Sequence, residues 1–408
     1  MSSHAHRNSD SGPGIQTLAI HAGEHPDPVT KASSPNLVMS STFLADPDAS
    51  FSAEGSHEDE GYFYSRWSNP TVAQLESKLA ALEGTESAMA FASGMAAVNA
   101  LFLHCLRPGD HLVMGDIVYA AVSETANDLL LELGIKISRV DTSDPAAVET
   151  ALRENTRLVY IESPCNPILR LTDIAAIAKL LRGTKARLAV DSTFATPVAT
   201  RPTDYGADFV IHSLTKYLGG HGDAVGGALL GPTEDITEIR RKAGIRMGGV
   251  LSPFNAWLIL RGLATFPLRM RAHESAAMDV GRFLENHPLI SRVYYPGFES
   301  HPQHELAARQ MNNFSGMLTF QTERHAELPH LLAENLEIIH YAVSLGHHRS
   351  LIFYIPTEEI LKTSFKLTEQ QNEAYREFAG DAIFRLSVGI EDSKDLCADL
   401  ERVFSKLT

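Results

Sequence analysis

Ala189-Val190-Asp191-Ser192-Thr193-Phe194 and Phe209-Val210-Ile211-His212-Ser213-Leu214-Thr215-Lys216-Tyr217 decide the fold. Each is a short β-branched run that ends in polar residues, the pattern of a buried strand reaching the edge of a sheet. Strand ends are where α/β sheets bind ligands. The first run ends in an acid, Asp191, and the second in Ser213-x-Thr215-Lys216. A lysine beside two short hydroxyls suits a Schiff base next to a phosphate. An aspartate one strand away suits a protonated ring nitrogen. Pyridoxal phosphate requires that combination. Taken singly, Lys216 also reads as a solvated loop lysine and Asp191 as a helix cap.

Outward from these runs the chain alternates. Asn69 is a good helix N-cap and Pro70 a good first helical residue. Val72, Leu75, Leu79 and Leu82 follow at helical spacing, and Gly84 closes the helix. Strands are expected at 87–91, 111–114, 135–140, 158–162, 188–191 and 226–230. Helices are expected between them at 94–106, 118–133, 145–153 and from the Asp173 cap to 181. This alternation predicts an α/β fold with a mostly parallel sheet flanked by helices. From about 250 to 285 the pattern is helical, and strands are expected at 293–295, 317–321 and 383–388. The division read from this is an N-terminal arm and loop at 1–68, a cofactor-binding domain at 69–265 and a smaller α+β domain at 266–408. Residues 1 to 13 have little to bury and read as disordered, and the acidic, turn-rich stretch at 45–61 reads as a mobile loop.

Bulk properties exclude several classes. The 408 residues carry a formal net charge of −15, which argues against a nucleic-acid or anionic-membrane surface. No run of about 18 apolar residues is present, so no membrane span is expected. The polar start, Met1 to Gly14, has no apolar core of a secretory signal. Cys105, Cys165 and Cys397 are far apart and form no zinc pattern, which fits a reduced, cytoplasmic protein. The 18 histidines include no H-E-x-x-H, so they read as structural or surface residues and no metal is expected.

Six stretches carry a family resemblance. They are Tyr64-Ser65-Arg66-x-x-Asn69-Pro70-Thr71, Ser93-Gly94-Met95-Ala96-Ala97, Glu162-Ser163-Pro164-x-Asn166-Pro167, Asp191-x-Thr193-Phe194-Ala195-Thr196-Pro197, His212-Ser213-x-Thr215-Lys216-Tyr217-x-Gly219-Gly220-His221 and Arg385-Leu386-Ser387-Val388-Gly389-Ile390-Glu391. Each alone is weak. Six in order, from about residue 15 to the C-terminus, resemble the Cys/Met-metabolism family of pyridoxal-phosphate enzymes, which have the fold-type-I architecture.

The resemblance implies roles. Lys216 would hold the cofactor and, once displaced, move protons. Asp191 would face the pyridine nitrogen, with Thr193 beside it. Ser93, Gly94 and Met95 would offer helix-terminal donors to the phosphate, joined by the Ser213 and Thr215 hydroxyls. Tyr64 and Arg66 resemble a pair that reaches the phosphate of the neighbouring subunit, which implies an active unit of at least a dimer; the family resemblance implies a homotetramer built from dimers with shared active sites. Tyr119 matches a tyrosine that stacks on the ring and serves as acid or base. Asn166 resembles a residue near the ring oxygen. Arg385 would clamp the substrate α-carboxylate, helped by Ser344.

The implied activity is γ-elimination from a γ-substituted L-amino acid through a β,γ-unsaturated intermediate. Alternatives are γ-replacement, of the cystathionine γ-synthase or O-acyl-homoserine sulfhydrylase type, and elimination from a non-standard, for example halogenated, amino acid. Ala120-Ala121 follows Tyr119 where relatives usually carry glycine, and the cysteine that marks methionine γ-lyases is absent. Arg349 falls where relatives carry a glutamate implicated in holding a distal ammonium. A guanidinium there would repel that ammonium, so cystathionine is expected to be a poor substrate and a smaller or distally anionic substituent to be preferred. The other reading is that Arg349 turns outward to an acid such as Glu358 or Glu359.

Overall fold

The computed structural model describes residues 12–45, 47 and 61–407. Most of the two segments expected to be disordered or mobile therefore lies outside the described residues. The large sheet has seven strands: β1 (Ser87–Phe91), β2 (His111–Gly115), β3 (Lys136–Val140), β4 (Thr156–Glu162), β5 (Arg187–Asp191), β6 (Phe209–Ser213) and β7 (Gly227–Gly231). Their order is β1-β7-β6-β5-β4-β2-β3. Strands β2 to β6 run parallel, and β7 is antiparallel to both β6 and β1. Apolar clusters cover both faces. On one, Leu75, Leu79, Val210 and Leu230 meet the helix Pro253–Leu263; on the other, Tyr160, Ile211 and Leu229 meet Leu101 of the helix Gly94–Cys105. Burial on two faces explains why the central strands read as continuous apolar runs.

Local signals set the element ends. The Asn69 side chain accepts from the Thr71 and Val72 amides, Pro70 opens the helix Pro70–Glu83, and Gly84 closes it at φ 72°. The expected helix at 118–133 is shorter and less regular. It runs Ala120–Thr125 and continues as a π-helical turn, Ala126–Leu130, in which the Leu131 amide reaches back to the Ala126 carbonyl. A side chain at Gly227 would place its Cβ 2.2 Å from the Ser93 carbonyl oxygen. Glycine there lets β7 lie against the turn where the helix Gly94–Cys105 begins.

The second sheet has the order β10-β11-β12-β9-β8, built from β8 (Arg292–Tyr294), β9 (Met317–Gln321), β10 (His340–Tyr341), β11 (Leu351–Pro356) and β12 (Ala382–Ser387). Strands β10 and β11 add to those expected from the pattern. The helices Phe266–Glu285 and Ser393–Phe404 cover this sheet through Val280, Leu284, Leu400 and Phe404. No helix among the described residues is long and apolar enough to cross a membrane.

Candidate active site

The carboxyl ends of β4, β5 and β6 supply Glu162, Asp191 and Ser213 side by side. They open on a cavity of about 270 Å³. Of the residues expected at the site, Ser93, Gly94, Met95, Tyr119, Asn166, Asp191, Thr193, Ser213, Thr215, Lys216, Ser344 and Arg385 line it together. Those from 344 onward come from the second sheet and its loops, so the cavity lies where the two sheets meet.

Lys216 follows β6 on a tight turn. The buried Arg269 guanidinium donates to the Tyr217 carbonyl at 2.8 Å and to that of Leu218 at 3.3 Å. The Tyr217 hydroxyl accepts from the Gly316 amide at 3.1 Å, which ties the turn to the second sheet. The Lys216 ammonium donates to Ser344 Oγ at 3.1 Å. Burial, and then the charge of Arg385, push its pKa down to about 8.

Asp191 is buried. It accepts from the Tyr160 hydroxyl at 3.2 Å and from the Thr193 amide at 3.0 Å. Among the described residues no cationic side chain hydrogen-bonds it. Burial raises its pKa, as it raises that of Glu162, to which the charge of Asp191 adds. The Thr193 hydroxyl accepts from the Ser213 amide at 2.9 Å and so fixes β5 to β6 at their ends.

The helix Gly94–Cys105 starts at the cavity, with the Ser93 hydroxyl capping the Ala96 amide at 3.1 Å. A Cβ on Gly94 would lie 3.2 Å from that of Ser213, a tight contact that glycine relieves where the helix start approaches β6. The remaining free amides and the helix dipole make the spot suited to an anion. Thr215 Oγ1 accepts from the Gly226 amide at 3.1 Å.

On the opposite wall the Arg385 fork donates to Asn166 Oδ1 at 2.8 Å and to the Ser344 carbonyl at 3.3 Å. Burial lowers its pKa to about 10, which leaves it charged at neutral pH. Tyr119 is half-exposed at the cavity mouth.

The sequence reading missed Glu162 as a site residue, although it begins one of the quoted motifs. Its carboxylate accepts from the Tyr119 amide and from the Asn166 amide, each at 2.7 Å. One buried acid thus holds two site residues in place. The signal was its position at the end of an apolar strand next to Asp191. His347 was also missed; its Nε2 lies 3.1 Å from Ser344 Oγ.

Three expected residues lie outside this cavity. Tyr64 is exposed, and Arg66, also exposed, donates to the Ile245 carbonyl. Arg349 is exposed and has no ion pair among the described residues, so it is not held by Glu358 or Glu359. Glu358 instead accepts from Arg376 at 2.6 Å.

The donor set fits pyridoxal phosphate. An amine of lowered pKa, a buried carboxylate without a cation, hydroxyls and helix-terminal amides converge on one cavity.

Comparisons with known proteins agree. A family model described as Cys/Met metabolism PLP-dependent enzyme matches residues 16–405. A canavanine γ-lyase of Pseudomonas canavaninivorans is 40% identical over 387 residues, 94% of each chain. A cystathionine γ-synthase of Mycobacterium bovis is 40% identical over 392 residues, 96% of each chain. The crystal structure of a cystathionine γ-lyase from Lactobacillus plantarum, complexed with L-serine, superposes with a TM-score of 0.86 at 37% identity, covering 96% of this chain and 99% of that one.

Proposed function

The chain belongs to the Cys/Met-metabolism family of pyridoxal-phosphate-dependent enzymes, and from that premise we propose that it expels the γ-substituent of an L-amino acid, releasing a 2-oxo acid and ammonia. The observation that carries this reading is the meeting of Lys216, Asp191 and Arg385 in one cavity. Pyridoxal phosphate, when bound, supplies the electron sink for the charge left behind as protons leave the substrate carbons.

The chain's own residues divide the remaining work. Arg385 and Ser344 bind the substrate α-carboxylate, and the fork orients the amino acid. Lys216 holds the cofactor at rest. Its lowered pKa makes the free amine available near neutral pH to take the proton from Cα and to return it further along the chain. Asp191 would keep the ring nitrogen of a bound cofactor protonated, and Thr193 and Tyr160 hold Asp191 in place. Ser93, Gly94, Met95, Ser213 and Thr215 line the cavity and would hold the phosphate. Tyr119, at the cavity mouth, would lie beside the cofactor and handle the leaving group's proton, and Glu162 fixes its backbone.

The exposed positions of Tyr64 and Arg66, away from their own chain's cavity, support their reaching a neighbouring subunit, within a cytoplasmic homotetramer of dimers. The division at 69–265 and 266–408 belongs to the same reading. Inactive Arg66→Ala and Lys216→Ala chains should regain activity when mixed. Random pairing would restore about a quarter of the sites. No recovery under verified subunit exchange would mean that Arg66 serves its own chain.

The likeness to a cystathionine γ-synthase keeps γ-replacement as the second reading. A panel of γ-substituted amino acids, with and without a thiol acceptor, separates the two. Keto acid and ammonia without acceptor support elimination. A thioether product only when thiol is present would replace it.

A further inference from the structure

A second cavity, of about 420 Å³, adjoins the first and shares Tyr119, Asn166, Val343 and Arg385 with it. An amino acid held by Arg385 whose side chain outgrows the first cavity continues into this one. Phe353 stands directly opposite Arg385 in the pairing of β11 with β12, and so on the same face of the sheet. Its ring meets that of Tyr341 at 5.6 Å between centroids, tilted by 38°. Both residues line the second cavity.

The helix Thr357–Thr363 adds an acid to this wall, and the two glutamates of its first turn differ. Glu358 is committed: it accepts from Arg376 and pairs with Lys362 at 3.6 Å. Glu359 lines the cavity and has no side-chain hydrogen bond or ion pair among the described residues. Among the described residues it is the one acid on that lining. The other charged lining residue, Arg385, is already engaged by Asn166 and the Ser344 carbonyl.

We propose that the second cavity is the subsite for the γ-substituent, and that Glu359, with the rings of Tyr341 and Phe353, selects a substituent ending in a cation, a guanidinium or an ammonium. Aromatic faces attract cations, a guanidinium stacks on them, and an unpaired carboxylate at the same wall supplies the counter-charge. Neutral substituents can at most hydrogen-bond Glu359 and gain no charge contact from it, and anionic ones are repelled by it. This rests on the γ-acting reading and names the substrate class.

The test uses two probes of equal size that carry no leaving group at Cγ, L-arginine and L-citrulline. Calorimetry on the holoenzyme gives the ratio of their dissociation constants. The wild type should favour arginine by roughly tenfold, the scale of one well-placed charge contact. Glu359→Gln should bring the ratio close to one, Glu359→Asp should keep part of it, and the control Glu358→Gln should leave it unchanged. Equal binding in the wild type, no binding of either probe, or a preference that survives Glu359→Gln overturns the proposal. Thermal melting of each variant checks that it is folded. An arginine preference lost in Glu359→Gln, in an enzyme that releases no keto acid from any γ-substituted amino acid, would sink the elimination reading and leave the subsite standing.

Discussion

Asp191 and Glu359 are both acids on cavities that meet at Arg385, yet the chain builds them in different ways. Asp191 sits at a buried strand end with two hydrogen-bond donors on it, one from its own turn and one from the neighbouring strand. Its neighbour Glu162 is likewise saturated by two amides. Glu359 is exposed on a short helix and holds nothing. A preorganised floor costs little reorganisation when charge develops above it, so it serves a reaction common to many substrates. An uncommitted wall can be changed residue by residue without disturbing that floor. On the proposed reading the reacting floor lies at the large sheet's strand ends, with Arg385 and Ser344 added from the small sheet, and the loops and helix of the small sheet form the wall that meets the substituent.

The strongest test of the floor is Lys216→Ala. Turnover should fall by at least roughly 10³-fold, the scale of losing a positioned proton-transfer group. Borohydride treatment of the wild type followed by peptide mapping should label Lys216. Label on another lysine would move the reaction centre and dissolve the contrast.

The second test reads the lysine's environment directly. In cofactor-stripped enzyme, labelling of Lys216 by an amine-directed reagent should lose half its rate as pH falls through about 8. An ordinary lysine titrates near 10.4, so at pH 8 Lys216 should hold on the order of 100-fold more free amine. The sign follows from burial, which disfavours the ammonium and makes the neutral form persist to lower pH. A midpoint near that of surface lysines would show the floor to be open to water.

Arg385→Ala comes next, because Arg385 belongs to both cavities. Hydrogen bonds to a charged group contribute about 1.5–3 kcal/mol, so KM for a γ-substituted amino acid should rise by roughly 10- to 100-fold. Arg385→Lys keeps the charge and loses the fork, and should recover only part of this. An unchanged KM would remove the link between floor and wall.

The floor was legible in the sequence because its constraints are local. Asp191 and Lys216 each end a β-branched run, and the Asn69-Pro70 cap and the Ser93-Gly94 turn have their own residue signatures. Helix and strand types at 87–91, 94–106 and 188–191 follow from period and punctuation alone. Glu162 was harder to read, since its role is to accept two amides from 43 and 4 residues away, which no periodicity announces. The second cavity was hidden for a related reason. Glu358 and Glu359 are identical in local sequence terms and differ only in that Arg376, on another helix, reaches the first of them. The π-helical turn at Ala126–Leu130 likewise keeps the apolar spacing of an ordinary helix while changing its hydrogen bonds.

The smallest effect is expected at Arg349, where position within the motif and position in space part company. Counting from Ser344-Leu345-Gly346 puts Arg349 in place of an acid that meets a distal ammonium. In the structure its two neighbours are anchored. The His348 amide donates to the Gly220 carbonyl at 2.8 Å, and the Ser350 amide donates to Glu391 at 2.7 Å. The segment between them turns the guanidinium out to solvent, and it lines neither cavity. An exposed charge is screened by water and salt over about 8–10 Å, so its reach into a cavity it does not line is slight. Arg349→Glu should therefore change the ratio of kcat/KM for cystathionine to that for a short uncharged γ-substituted substrate by less than about twofold. Glu359→Gln, measured in the same assay, should lower that ratio by more, because it removes the one acid that lines the second cavity among the described residues. A tenfold rise with Arg349→Glu would reverse the order of the two residues. It would mean that Arg349 is carried to an active site in the assembled enzyme, and that the wall choosing the substrate is built by more than one chain.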